Sequence, residues 1–134
     1  VGITVDTSGA PLLRVTFAGT LDDDAFNAYL AEYRAFLGRG MRYAIVIDAS
    51  TSGVPSPAQR RLLADSIRDD RPRLRAQCVG GAFVISSTLV RGALTAVLWL
   101  QPLPFEYVLV KDVDAAERWC RERLNDTVAD QVKA

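Results

Sequence analysis

The chain contains no histidine, one methionine and two cysteines among its 134 residues. Without imidazole it has no ready general base near neutral pH, no histidine phosphate acceptor and no histidine metal ligand. Most hydrolase and metalloenzyme readings end there, and no cofactor is expected. Cys78 and Cys120 lack CxxC spacing, and two isolated cysteines make neither a zinc set nor a secreted disulfide framework. Both read as small core residues. Neither sign of charge is in surplus, with 16 basic against 16 acidic side chains, so nothing steers the chain toward nucleic acid or an anionic membrane. The longest apolar stretch, Ala93 to Leu100, is broken by Thr95 and is far short of the roughly 20 residues that cross a bilayer, so no stable membrane insertion is expected. No basic segment followed by an apolar run opens the sequence, which makes the cytoplasm the expected compartment.

What is present suits one compact domain over residues 1–134, since 49% of the residues are hydrophobic and 24% charged. A chain of this length buries roughly 65–70% of its unfolded surface, enough for a core without staples. Two β-branched runs, Ile3 to Thr7 and Leu12 to Ala18, flank the turn formers Ser8, Gly9, Ala10 and Pro11 and predict a hairpin. The period then changes: Phe26, Tyr29, Leu30, Tyr33, Phe36 and Leu37 recur at helical spacing, with Gly38 placed to close the helix at C′. Asp22, Asp23 and Asp24 fall in its first turn, where exposed amides favour carboxylates.

Tyr43 to Asp48 is a continuous apolar run of the kind found in a central parallel strand, followed by a polar loop from Ala49 to Pro55. Ser56, Pro57 and Gln59 spell a capping box for a helix that Pro72 ends or kinks. Cys78 to Ile85 is a second buried strand, and Leu89 to Leu100 an apolar helix stopped by Pro102 and Pro104. Tyr107 to Lys111 is the last strand, and Asp114 with Glu117 predicts the start of a final helix carrying Ala116, Trp119, Cys120 and Leu124. Residues 125–134 are polar and are expected to fray. The expected fold class is α/β, a single layer sandwich in the order ββαβαβαβα. It has about four helices on the two faces of a mixed, mostly parallel sheet of about five strands opened by the hairpin.

In such a sheet, ligands and partners gather beyond the carboxyl ends of the parallel strands. The two turns there carry Asp48, Ser50, Thr51, Ser52 and Ser56 on one side and Ser86, Ser87 and Arg91 on the other. Hydroxyls at helix starts cap the helix, bind an anion through neighbouring amides, or accept a phosphate. A serine nucleophile needs a base within reach, and only Asp48 is near in sequence, so no catalytic residue is expected. Gly80 and Gly81 lie ahead of the strand core and not between strand and helix, which points to a bulge or close packing instead of a phosphate cradle. The arginines at 60, 61, 68, 71, 73 and 75 face Asp65, Asp69 and Asp70 and read as a solvated helix face. No interleaved aromatics suggest nucleic acid. The helix through Leu94, Val97, Leu98, Trp99 and Leu100 is apolar almost all round. With Phe105, these residues are either covered within the monomer, or form a homodimer contact, or wall a pocket for a small apolar ligand.

The hairpin opening, the Tyr43 to Asp48 strand with its Ser/Thr/Gly loop leading into a helix, and the later βα units together resemble a STAS domain. The likeness is to anti-sigma-factor antagonists and especially to stand-alone STAS/SEC14-like bacterial relatives. In antagonist-type members the strand ends in an Asp-Ser-Ser-Gly-like sequence whose second serine is phosphorylated by a partner kinase. The match here is Asp48-Ala49-Ser50, with Ser52-Gly53 following, so that Ala49 stands in place of the first serine and the loop is longer. The resemblance implies a non-enzymatic regulatory module that binds another protein, with Ser50 and Ser52 as the candidate phosphorylation sites. A binder or sensor of a small apolar or lipid-like molecule is the alternative.

Overall fold

The computed structural model describes the backbone of residues 2–133 and the side chains of residues 2–126. Its elements are β1 (Gly2–Asp6), β2 (Leu12–Gly19), α1 (Asp23–Leu37), β3 (Tyr43–Ser52), α2 (Pro57–Asp69), α3 (Arg71–Gln77), β4 (Cys78–Val84), α4 (Thr88–Leu100), β5 (Tyr107–Val110) and α5 (Val113–Lys133). The strands form one sheet in the order β1-β2-β3-β4-β5. β1 pairs antiparallel with β2, and the other neighbours pair parallel.

Because the parallel strands follow one another in sequence order, right-handed crossovers carry every connecting helix to the same side. The buried clusters divide accordingly. Leu13, Val15, Tyr43, Ile45 and Phe83 face residues of α1, α2, α3 and α4. Leu12, Ala44, Val46, Ala82 and Val84 face Ala116, Cys120 and Leu124 of α5 alone. Side chains alternate between the faces of a strand, so β3 serves both cores with successive residues. On the many-helix side, ring pairs run from Phe17 through Tyr29 and Tyr33 to Tyr43 and Phe36, with centroids 5.1–6.3 Å apart, all of them edge-to-face except the tilted Tyr29–Tyr33 pair. Such pairs add about 0.5–1.5 kcal/mol each beyond burial.

Five differences from the sequence reading have local causes. β3 continues through Ala49 to Ser52, where a polar loop was expected, because Thr51 and Ser52 pair with Ala18 and Gly19 beyond a register shift that leaves one extra residue in β3. An additional short helix, α3, follows Pro72, since proline is as well suited to a first helical turn as to a break. Gly38 is right-handed, and the left-handed residue is Gly40, after amide bonds from Gly38, Arg39 and Gly40 wind the end of α1 onward. Asp112, not Asp114, caps α5, accepting from the Ala115 amide at 2.8 Å. The apolar helix starts at Thr88, with Ser87 as its cap. The expectation of a frayed tail falls mostly on side chains outside the described residues.

Gly80 and Gly81 sit inside β4, next to a register irregularity opposite Tyr43 and Ala44. A Cβ on Gly80 would lie 2.8 Å from the Trp119 ring, and one on Gly81 2.9 Å from Phe105. The expected bulge and close packing both occur there. Cys78 and Cys120 are free and buried, and burial pushes each thiol up to about 12.

Candidate functional site

The parallel pairing of Asp48 with Val84 aligns the carboxyl ends of β3 and β4, so the turns that follow emerge at one rim. The Asp48 Oδ1 accepts from the Ser50 amide at 3.0 Å and from its hydroxyl at 2.7 Å, which locks the carboxylate and the serine together. From the other turn, the Ser86 hydroxyl donates to the Ser50 carbonyl at 2.9 Å. That bond joins the two predicted turns directly. Asp48 and Ser50 are half-buried, and Ser86 is exposed.

The remaining predicted rim residues have separate positions. Thr51 is exposed on the strand end. The Ser52 hydroxyl donates to the Gly53 carbonyl at 2.7 Å. Gly53 approaches the Gly19 carbonyl so closely that a Cβ would stand 2.8 Å from it, and this contact fixes where the β3–α2 turn leaves the sheet. Ser56 caps α2 through the Gln59 amide at 3.1 Å, while the Gln59 side chain returns a bond to the Ser56 amide at 3.0 Å. Ser87 caps α4 through the Val90 amide at 3.4 Å. Arg91 is exposed and makes no ion pair among the described residues. The hydroxyls of Ser56 and Ser87 are therefore committed to helix ends, and the convergent group is Asp48, Ser50 and Ser86.

Gln59 does more than its capping motif announces. It is 2% exposed, and its amide nitrogen donates to the Leu21 carbonyl at 2.8 Å and to Asp23 at 3.0 Å. One side chain thus ties the start of α2 to the start of α1, just below the rim. Its capping role is written in Ser56-Pro57-Ala58-Gln59, but the tertiary bonds have no local signal. Asp22 caps α1 as its position suggests, accepting from the Ala25 amide at 2.7 Å.

Between the sheet and helices α1, α2 and α4 lies a partly enclosed cavity of about 130 Å³, walled by groups such as Phe17, Tyr29, Ile45, Phe83, Ala93 and Leu98. Of the residues singled out on the apolar helix and beside it, Leu94, Val97, Leu98 and Phe105 line this cavity. Trp99 and Leu100 do not. They are 87% and 58% exposed, and with Leu89 at 70% they leave the outer side of α4 uncovered in the monomer. They border a shallow groove over Gly92, Thr95 and Ala96, edged by Arg60 and Arg61 of α2. Within the basic segment Arg61 pairs with Asp65 and Arg68 with both Asp65 and Asp69, Arg60 and Arg71 donate to the Pro55 and Pro102 carbonyls, and Asp70 is paired with Arg34 of α1.

Among the described residues no cluster of side chains is suited to hold a metal ion, and no helix is long and apolar enough to cross a membrane. No protein-family model matches the sequence, and no curated protein matches it. Among solved structures, the crystal structure of an anti-sigma factor antagonist from Mycobacterium paratuberculosis matches with a TM-score of 0.57 at 18% sequence identity. The match covers 89% of this chain and 92% of that one. The hairpin-led parallel sheet and its crossover helices are therefore a STAS-like α/β fold, shared with an anti-sigma factor antagonist.

Proposed function

We propose that this chain is a non-enzymatic regulatory module of the cytoplasm that docks onto another protein through the rim formed by Asp48, Ser50 and Ser86. The observation that carries the reading is the 2.9 Å bond from Ser86 to the Ser50 carbonyl, which brings the two hydroxyl-bearing turns together beside a carboxylate. The likeness to an anti-sigma factor antagonist supports a partner of the anti-sigma-factor kind. Ser50 is the site at which a phosphate acts most directly. It adds nearly two negative charges next to Asp48 and removes the hydroxyl donor that Asp48 now accepts. Ser52, whose hydroxyl is turned to the Gly53 carbonyl, is the second candidate for phosphorylation.

The test is a pull-down from cells of the source organism with the native chain and with Ser50→Asp. Loss of a recovered protein in Ser50→Asp supports the reading. Equal recovery with both chains counts against it.

A homodimer through α4 is a second reading, favoured by Leu89, Trp99 and Leu100 standing exposed on one helix. Light scattering on the purified chain tests it: a dimer mass that reverts to monomer in Trp99→Ser supports the contact, and a monomer mass at high concentration removes it.

A further inference from the structure

The cavity between the sheet and the helices is the feature that protein docking does not explain. Its wall is built from aromatic rings and aliphatic side chains, and the polar groups that reach its edge are mostly engaged already. The Tyr33 hydroxyl bonds that of Tyr43 at 2.7 Å, Arg34 pairs with Asp70 at 3.2 Å, and the Ser52 hydroxyl is held by Gly53. Water gains little there, because an ordered water needs two to four polar partners and apolar cavities of this kind stay dry. A charged ligand fares worse, since burying an unpaired charge costs far more than such a wall returns. The volume, about 130 Å³, compares with the ~150 Å³ apolar cavity that accepts benzene in another protein.

We propose that this cavity is a binding site for a small uncharged apolar molecule, one aromatic ring or a short branched chain of about six to eight non-hydrogen atoms by that comparison. Val97 and Leu98 of α4 and Ile45 and Phe83 of the sheet clamp its two sides. Ser66, at the edge, is half-buried, and its hydroxyl makes no protein hydrogen bond among the described residues. It can meet a single neutral polar atom on the ligand. The site is separate from the exposed groove at Trp99 and Leu100, which lies on the outer side of the same helix.

The probes are benzene and benzoate, which share a ring and differ by a charge. The readouts are thermal unfolding and the methyl NMR signals of Val97, Leu98 and Ile45. Benzene at about ten times its dissociation constant should raise Tm by a few degrees and shift those methyl signals, and benzoate should do neither. Ala93→Leu, which fills the cavity from α4, should abolish the benzene response, whereas Trp99→Ser should leave it intact. If Ala93→Leu does not fold, Ala49→Val fills the space from the sheet side and takes its place. No response to benzene, an equal response to benzoate, an undiminished response in the filled variant, or its loss in Trp99→Ser would each overturn the proposal.

Discussion

On one face of the sheet Ala44, Val46, Ala82 and Val84 receive α5, whose Ala116 and Cys120 are fully buried against them. On the other, Phe17, Tyr43, Ile45 and Phe83 meet four helices through large rings and leave a cavity of about 130 Å³. Small residues allow a single helix to settle close to the strands, as the contact of Gly80 with the Trp119 ring illustrates. Rings on several converging helices do not interlock so completely, and the unfilled volume collects there. The same side carries α2 and α4, which begin at the rim. Added volume should therefore be costly on one face and cheap on the other.

The sharpest way to break this comparison is to add the same side chain to each face. Ala116→Leu on α5 should cost about 3 kcal/mol, as overpacking a filled core does. Ala93→Leu on α4 should change stability by less than about 1 kcal/mol, because its new atoms enter existing space. Urea denaturation of both variants checks this, and equal losses would mean that the faces do not differ.

Next in size is the joint between α1 and α2. Gln59→Leu keeps the volume but removes the bonds to the Leu21 carbonyl, Asp23 and the Ser56 amide. Denaturant titration should find it about 2 kcal/mol less stable, since a buried carbonyl loses its donor. Tyr43→Phe, which deletes the Tyr33–Tyr43 hydroxyl bond on the same face, should cost about 1 kcal/mol by the same measurement.

Alkali examines both faces together. Cys78 belongs to the cluster under α1 to α4 and Cys120 to the α5 cluster, and burial raises each thiol from 9.0 to about 12. The folded chain then holds protons that the unfolded chain gives up, so stability is intact below pH 9 and falls as pH rises toward 12. Buried Tyr29, Tyr33 and Tyr43 are raised in the same way and deepen the loss above pH 10. Melting temperature against pH measures it, and a flat profile between pH 9 and 12 would contradict the burial of these groups.

The strand and helix periods were legible because burial writes them into the chain. The Tyr43 to Asp48 run needs two covered faces, and the spacing from Phe26 to Leu37 needs one. That the turns after β3 and β4 meet followed from parallel pairing alone. The extension of β3 to Ser52 was not legible, since Ser50, Thr51 and Ser52 favour turns and are held extended only by β2. Nor was the burial of Gln59 legible, because its partners Leu21 and Asp23 stand 38 and 36 residues away. The cavity has no sequence signal. It arises from how side chains of three strands and four helices fail to fill the space between them.

The central claim is that one rim, made of two turns, is the docking surface. Its most direct test is the affinity of the recovered partner for four purified chains: native, Ser50→Asp, Ser86→Asp and Trp99→Ser. The account predicts that either rim substitution weakens binding at least tenfold, about 1.4 kcal/mol, and that Trp99→Ser leaves it unchanged. Binding that survives both rim substitutions but is lost in Trp99→Ser would place the surface on α4 and contradict the account.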